Sequence, residues 1–241
     1  MNSDSYSLNS TALNGYIDRL TTITDNIANC STPGYRRTYA GQKSFDKTLS
    51  NAMNSSQSAS DFSQGAIKIT GRSLDFAING KAFFVVEKEG REYYTRNGSF
   101  NLSSEGKLIT TGNLNVQGEG GAIRIPRDTP LTSITVDSDG TIWGGKFTGK
   151  SEETKLGKIR MVEFEDTNSL SKVGPTLFSA RGSAGKASKD STISNKTLES
   201  SNASVFEEMA ELISCMRSYE ACHKMFKSED DVERKMIKEF S

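Results

Sequence analysis

Residues Asp25–Arg37 read DNIANCSTPGYRR and mark a change of structure near the start of the chain. Pro33 disfavours helical geometry at Thr32, and Gly34 favours a turn. Before them, apolar side chains recur at alternating spacings of three and four residues, as in a helix that packs against another helix: Leu13, Tyr16, Leu20, Ile23, Ile27 and Cys30. The sequence therefore predicts a helix that ends between Asn29 and Ser31.

A second periodic stretch lies at the C-terminal end of the chain. Ser204 followed by Glu207 fits a capping box, and Glu207 and Glu208 place negative charge in a first helical turn. The apolar and aromatic side chains that follow alternate between spacings of four and three: Val205, Met209, Leu212, Met216, Tyr219, His223 and Phe226. This pattern predicts a C-terminal helix, and its phase breaks at Asp230.

The residues between the two helices have a different period. Short runs rich in Val, Ile, Phe and Tyr, such as AIKITG (Ala66–Gly71) and KIRMVEFED (Lys158–Asp166), are separated by glycine-containing turns. The pairs Asn97-Gly98 and Asp139-Gly140 suit tight hairpins because they tolerate positive φ. We therefore predict an antiparallel β region over residues 65–179, built as a sandwich or an irregular barrel.

Polar segments on both sides of this β region divide the chain into parts. The predicted order is a helical segment with its junction (1–45, packing with 200–241), a connector (46–64), the β-rich domain (65–179), a return connector (180–201) and the C-terminal helix (202–241). The predicted fold class is α+β, with a mainly antiparallel central domain inserted between terminal helices that pair as a helical hairpin or coiled-coil layer. Because two helices make a poor core alone, we expect them to order fully only against neighbouring copies.

Composition argues against several classes of protein. The 241 residues carry 30 basic and 30 acidic side chains, so the zero net charge gives no electrostatic argument for nucleic acid or an anionic membrane. No stretch approaches the roughly 20 apolar residues of a membrane-spanning helix, so we expect no direct membrane insertion. The N-terminal residues lack the basic and apolar regions of a cleavable signal peptide. This predicts a cytoplasmic protein, or one exported by a route that reads no such signal.

Chemically reactive residues are few. A single histidine, His223, leaves no histidine-based catalytic set, and three cysteines do not make a disulfide framework. Cys215 and Cys222 are seven residues apart, about 10 Å along a helix, which is too far to share a metal ion or a disulfide. Cys30 would have to complete any metal site across the helix pair, and thiols that fill packing gaps are the preferred interpretation. We therefore predict no catalytic residue, no metal site and no cofactor.

Three motifs resemble those of the bacterial flagellar rod and hook proteins, and they occur along this chain in the same order as in that family. Helices in that family end in an Asn-x-x-Asn-x-x-Thr-x-Gly-aromatic-basic pattern. The C-terminal stretch SNASVFEEMAELISCMRSYEA is similar to the family's closing helix, and SLDFAINGKAFFVV and YYTRNGSFNLSSEGKLIT are similar to its central β segments. The residues of this chain that form the junction motif are Asn26, Asn29, Thr32, Pro33, Gly34, Tyr35 and Arg36.

The resemblance implies a structural, non-enzymatic subunit of the flagellar basal-body rod. Such a subunit would pass unfolded through the flagellar type III export apparatus without a cleavable signal peptide. It would assemble helically with itself and with other rod and hook subunits in a rod that crosses the periplasm, and it would transmit torque to the hook. The compact length is more similar to the proximal rod protein than to the distal rod protein or the hook protein.

The resemblance also assigns roles to the predicted helices and junction. The side chains expected at the helix-packing interface are Leu13, Tyr16, Leu20, Ile23, Ile27, Val205, Met209, Leu212, Met216, Tyr219 and Phe226. At the junction, Gly34→Val is expected to impair assembly more than monomer stability. The alternatives from other classes are an enzyme or a carbohydrate-binding module built on the β domain, although no nucleophile, metal or acid–base group has a mechanistic spacing.

Overall fold

Two α-helices lie at the ends of the described part of the chain. The structure is a computed structural model that describes residues 3–40, 59–145, 153–182, 185–188 and 190–239. Helix α1 spans Ser3–Ala28 and helix α2 spans Val205–Glu239. Helix α1 ends one residue before the predicted range of Asn29 to Ser31, and α2 begins directly after Ser204. Of the predicted connector 46–64, residues 46–58 lie outside the described residues.

The described residues between the helices form short strands. In chain order they are β1 (Thr38–Tyr39), β2 (Ala59–Ser60), β3 (Ile67–Ile69), β4 (Phe76–Asn79), β5 (Phe83–Lys88), β6 (Arg91–Thr95), β7 (Phe100–Leu102), β8 (Leu108–Thr110), β9 (Asn115–Gly118), β10 (Gly121–Ala122), β11 (Thr135–Val136), β12 (Thr141–Gly145), β13 (Glu153–Lys158), β14 (Met161–Glu163), β15 (Leu170–Lys172), β16 (Leu177–Ala180), β17 (Lys186–Ala187), β18 (Thr192–Asn195) and β19 (Thr197–Glu199). Every pairing between them is antiparallel. The predicted α+β class with a mainly antiparallel β region is confirmed.

Strand β5 is the centre of the largest sheet. It pairs with β6, β9 and β14, in a sheet whose main order is β15-β16-β6-β5-β9-β8-β7. Its sequence FFVVEK starts with four buried residues, because the strand is covered on both faces. Phe84 and Val86 enter one apolar core, and Phe83 and Val85 enter a second on the opposite side. The compact apolar cluster in the sequence is therefore a two-sided central strand.

Gly98 has a packing role instead of the predicted hairpin role. Strand β7 after it pairs with β8 and does not pair with β6 before it. A Cβ atom on Gly98 would lie 1.7 Å from the carbonyl oxygen of Phe76, so no larger residue fits without moving the backbone. The Asn97-Gly98 pair thus marks a close approach of two backbones.

The expected return connector, residues 180–201, instead contributes three strands. Strand β18 pairs with β4 over four residues, and β19 pairs with β3. Among the described residues of this stretch, Ile193 is the one side chain in the large apolar core, so the stretch reads as polar. Backbone hydrogen bonding to partner strands holds the segment, and that bonding leaves no apolar periodicity in the sequence.

The described chain divides into two compact units. The first contains α1, α2, β1 and β2, and the second contains the other strands together with Asn29–Arg37. The predicted boundary put residues 1–45 with the helices, whereas Asn29–Arg37 groups with the β unit. The chain passes from one unit to the other after Ala28, Arg37, Asp61 and Asn202.

Candidate functional site

The junction motif forms a turn within the β unit. The Tyr35 amide donates to the Thr32 carbonyl at 3.2 Å, and the Thr32 amide donates to the Asn29 carbonyl at 3.0 Å. The Thr32 hydroxyl also lies 3.2 Å from the Asn29 side-chain oxygen. The motif residues Asn29 and Thr32 thus hold the turn that follows α1.

Gly34 occupies a position that only glycine fits. Its φ of +69° lies in the left-handed region, and a Cβ atom would meet the backbone nitrogen of Asn97 at 2.4 Å. Its amide donates to the Glu199 carbonyl at 2.8 Å. Because these contacts lie inside one unit of a single chain, the expectation that Gly34→Val acts mainly on assembly is revised: valine would already strain the monomer.

Tyr35 is buried directly after this turn. The Lys172 ammonium lies over its ring, 4.0 Å from the centroid, and donates to the Arg36 carbonyl at 3.3 Å. The contact combines a cation–π interaction with a backbone hydrogen bond. Lys172 therefore holds Tyr35 and Arg36 of the junction motif against strand β15.

The guanidinium group of Arg36 lies in a buried ionic cluster. Its guanidinium donates to Glu199 Oε1 at 2.6 Å, and both side chains are completely buried. The Gly65 amide donates to the same oxygen at 2.9 Å, and Arg96 lies 3.5 Å from Glu199 Oε2. Burial lowers the pKa of Arg96 to about 10, with Glu199 acting against that shift and Arg36 adding to it. Two buried arginines thus share one carboxylate.

Asn202 joins three segments of the β unit near the points where the chain enters and leaves it. Its side-chain oxygen accepts from the Arg37 amide at 2.7 Å, and its side-chain nitrogen donates to the Ser63 carbonyl at 3.2 Å. Its own amide donates to the Tyr35 carbonyl at 3.5 Å. We call the set Arg36, Arg96, Glu199 and Asn202 the junction clamp.

Sequence reasoning named one residue of the junction clamp, Arg36, as a member of the junction motif. Asn202 and Arg96 lie within stretches that carry the family resemblance, but neither was given a role. Glu199 was missed because it stands in a Ser- and Asn-rich segment. The usable signal for Glu199 is that it is the one acidic residue close before the Ser201-Asn202 motif.

Asn26, the first residue of the junction motif, belongs to the helical unit. Its side chain is buried and bonds the Thr38 backbone twice, donating to the carbonyl at 2.8 Å and accepting from the amide at 3.0 Å. The side-chain nitrogen of Asn26 also donates to Glu208 Oε2 on α2 at 3.1 Å. Asn26 therefore ties α1 both to α2 and to the start of β1.

The two helices lie side by side in an antiparallel arrangement. Arg19 pairs with Glu211 at 2.7 Å, and the Cys215 thiol lies 3.9 Å from the Tyr16 carbonyl. Burial raises the pKa of the Cys215 thiol. Together with the contact between Asn26 and Glu208, these pairs show that residue numbers fall along α1 as they rise along α2, which is the antiparallel direction.

The predicted helix-packing residues fall into two groups that differ in burial within the single chain. Ile23 is buried, and a group of others is half-buried: Leu13, Tyr16, Leu20, Ile27, Val205, Leu212, Tyr219 and Phe226. Met209 and Met216 are exposed, whereas the neighbouring Glu208 and Cys215 are buried. The face of α2 that meets α1 is thus rotated from the centre of the apolar stripe that the sequence shows.

Asn26→Ala is expected to destabilise the helical unit strongly. The substitution removes both bonds to the Thr38 backbone and the bond to Glu208, and each buried polar group that loses its partner costs about 1–3 kcal/mol. Urea unfolding followed by helical circular dichroism measures the loss. Asn14→Ala, at an exposed position on the same helix, is the matched control, and equal losses in the two variants would contradict the assignment.

The described part of the chain was also searched for metal sites, membrane-spanning helices and disulfides. No cluster of three potential metal ligands occurs among those residues. Neither of the two helices found there is both long and apolar enough to cross a membrane. Cys30, Cys215 and Cys222 are free thiols.

Comparisons with known proteins place this geometry in a family. Residues 77–144 match the profile of the flagellar hook protein FlgE/F/G D1 domain, and residues 194–239 match that of the flagellar basal body rod FlgEFG protein C-terminal region. The first match lies within the β unit, and the second covers the end of that unit and α2.

Full-length relatives give the same assignment. The chain is 31% identical to flagellar basal-body rod protein FlgF of Caulobacter vibrioides, with 89% of each chain covered, and 30% identical to FlgF of Salmonella typhimurium over 86% of each. It is 28% identical to FlgG of Bacillus subtilis, with 91% of this chain and 92% of the relative covered. The chain belongs to the flagellar basal-body rod protein family.

Proposed function

We propose that the chain is a structural subunit of the bacterial flagellar basal-body rod that self-assembles helically through α1 and α2. The observation that carries the proposal is the near full-length similarity to two kinds of rod protein, FlgF and FlgG. The terminal helices form their own compact unit, which fits a role in a shared helical layer of coiled-coil type. Such a subunit would carry torque towards the hook.

The structure supports a mechanical role for the polar groups of the junction. Arg36, Glu199 and Arg96 are buried and bond one another and the backbone, so they are not exposed to a substrate. A clamp of this kind resists displacement of the segments that it joins. We therefore propose a non-enzymatic protein without a cofactor, in preference to an enzyme or a carbohydrate-binding module.

Within the family we propose the proximal rod type, with the distal rod or a hook-type axial protein as the alternative. The compact length supports this choice. The proposed partners are other copies of the chain, other rod and hook subunits, and the flagellar type III export apparatus. The proposed location is the basal-body rod across the periplasm.

Deletion of the gene tests the proposal. We expect loss of swimming and basal bodies without a hook, because assembly beyond the missing subunit stops. Electron microscopy of isolated basal bodies shows the stage at which assembly halts and so separates proximal from distal types. Expression of the wild-type chain from a plasmid should restore swimming, and a deletion strain that swims normally would refute the proposed function.

A further inference from the structure

Strand β3 has an unpaired edge in the described part of the chain. It pairs with β19 on one side, and no other described strand pairs with it. Ile67 is 39% exposed and Ile69 is 86% exposed, so neither side chain enters an apolar core. An edge strand with large exposed apolar side chains is a template for pairing with another chain. We call Ile67, Lys68 and Ile69, with their outward backbone groups, the β3 edge.

The direction of the backbone groups of the β3 edge follows from the hydrogen bonds to β19. The Thr70 amide donates to the Lys196 carbonyl at 2.9 Å, and the Ser200 amide donates to the Ala66 carbonyl at 2.8 Å. Because hydrogen-bonded positions alternate along an antiparallel strand, these two bonds place the backbone of Lys68 towards β19 as well. The N–H and C=O groups of the two isoleucines therefore point to the open side, where no described residue bonds them.

The segments on either side of this strand pair, residues 65–72 and 195–201, expose only positive charge. Lys68 and Lys196 are exposed, and no described acidic side chain pairs with either. The one acidic residue in the two segments is Glu199, whose side chain is completely buried. Acidic side chains on a partner would therefore meet a complementary surface at the β3 edge.

The charge of Lys68 argues against a second copy of the same edge as the occupant. Antiparallel pairing of two β3 edges about their centres would place Lys68 of one copy directly opposite Lys68 of the other. Like charges directly opposite each other destabilise a strand pair. A lysine on an edge strand is also a common protection against pairing with identical edges. The occupant that fits is an extended segment of opposite charge.

We infer that the β3 edge binds an extended peptide segment in which acidic and apolar residues alternate. Directly opposite side chains of paired strands share a face, so the partner's residues opposite Ile67 and Ile69 are apolar and its residue opposite Lys68 is acidic. The partner's backbone supplies hydrogen-bonding groups for the outward N–H and C=O groups of the two isoleucines. In such strand addition the backbone gives affinity, and alternate side chains give specificity.

Amide hydrogen exchange of the purified chain, followed by NMR, tests the inference. The probe is the peptide acetyl-Thr-Val-Glu-Val-Glu-Val-Thr-amide, and the control peptide has lysine in place of both glutamates. The acidic peptide near saturation should slow exchange at Ile67 and Ile69 by about tenfold and leave the amide of Lys68, which faces β19, unchanged. No slowing at the two isoleucines, or equal slowing by the lysine peptide, overturns the inference.

Two substitutions separate backbone pairing from charge. Ile69→Pro removes an outward N–H that no described residue bonds, so it should abolish binding of the acidic peptide and leave the unfolding temperature nearly unchanged. Lys68→Glu should reverse the preference, so that the lysine peptide binds more tightly than the acidic one. Ile69→Val keeps both the N–H and the apolar side chain and should bind as the wild type does. A proline variant that still binds, or a Lys68→Glu variant that keeps the wild-type preference, contradicts strand addition at this edge.

Discussion

Glu199→Gln is expected to lower the free energy of unfolding by about 3–5 kcal/mol, because it removes the buried carboxylate with which two buried arginines pair. Arg36 and Glu199 are fully buried, and Arg96 is 2% exposed, so water cannot replace the lost carboxylate. Glutamine has nearly the same volume and can still accept from the Gly65 amide. The loss therefore reports the charge. Urea unfolding of the purified chain, followed by fluorescence and circular dichroism, measures it.

Glu211→Gln is the matched control for this experiment. Glu211 also pairs with an arginine, Arg19 at 2.7 Å, but both side chains are partly exposed. Solvent screens such a pair, and its loss is expected to cost no more than about 1 kcal/mol. Arg36→Met in the Glu199→Gln background should recover part of the stability, because it removes one of the two buried positive charges. Equal losses for Glu199→Gln and Glu211→Gln would contradict the role given to the cluster.

Gly34→Ala is expected to lower the stability of the β unit by displacing the junction turn. The left-handed conformation alone costs an alanine about 1–2 kcal/mol, and the Cβ atom would also press on the backbone of Asn97 at 2.4 Å. Relief of that contact requires the turn after Thr32 to move, which breaks the 2.8 Å bond from the Gly34 amide to Glu199. Urea unfolding measures the stability, and swimming of the variant strain measures the consequence.

Gly71→Ala separates the two parts of this effect. Gly71 has a similar φ of +77°, but a Cβ atom there would meet no atom within 4 Å. Its substitution should therefore show the conformational cost alone. A loss for Gly34→Ala as small as that for Gly71→Ala would show that the close approach to Asn97 has no energetic weight.

Periodicity predicted the helices and the β region well because each pattern reflects local burial. The end of α1 followed from Pro33 and Gly34, and the strand β5 followed from its four successive apolar residues. These signals depend on neighbours within a few positions. Local sequence therefore contains them.

The junction clamp and the strands after Ala180 could not be predicted in the same way. Glu199 is held by residues more than one hundred positions away, and its own neighbours are polar. Met209 and Met216 lie on the apolar stripe but are exposed in the single chain, because the stripe is wider than the surface that α1 covers. Which edge of a wide stripe faces the partner depends on the tertiary contacts of Asn26 and Glu208, which periodicity does not encode.

The sequence separation of the clamp residues also sets the order in which the chain can fold. Arg36 lies 163 positions before Glu199, and Arg37 lies 165 positions before Asn202. A ribosome makes the N-terminal partners first, so the turn after α1 stays open until the end of the β unit has been synthesised. Contacts of such high contact order form slowly and late. The clamp is therefore a closing step of folding, and in the nascent chain Arg36 and Arg37 cannot bond Glu199 and Asn202 until the end of the β unit has been made.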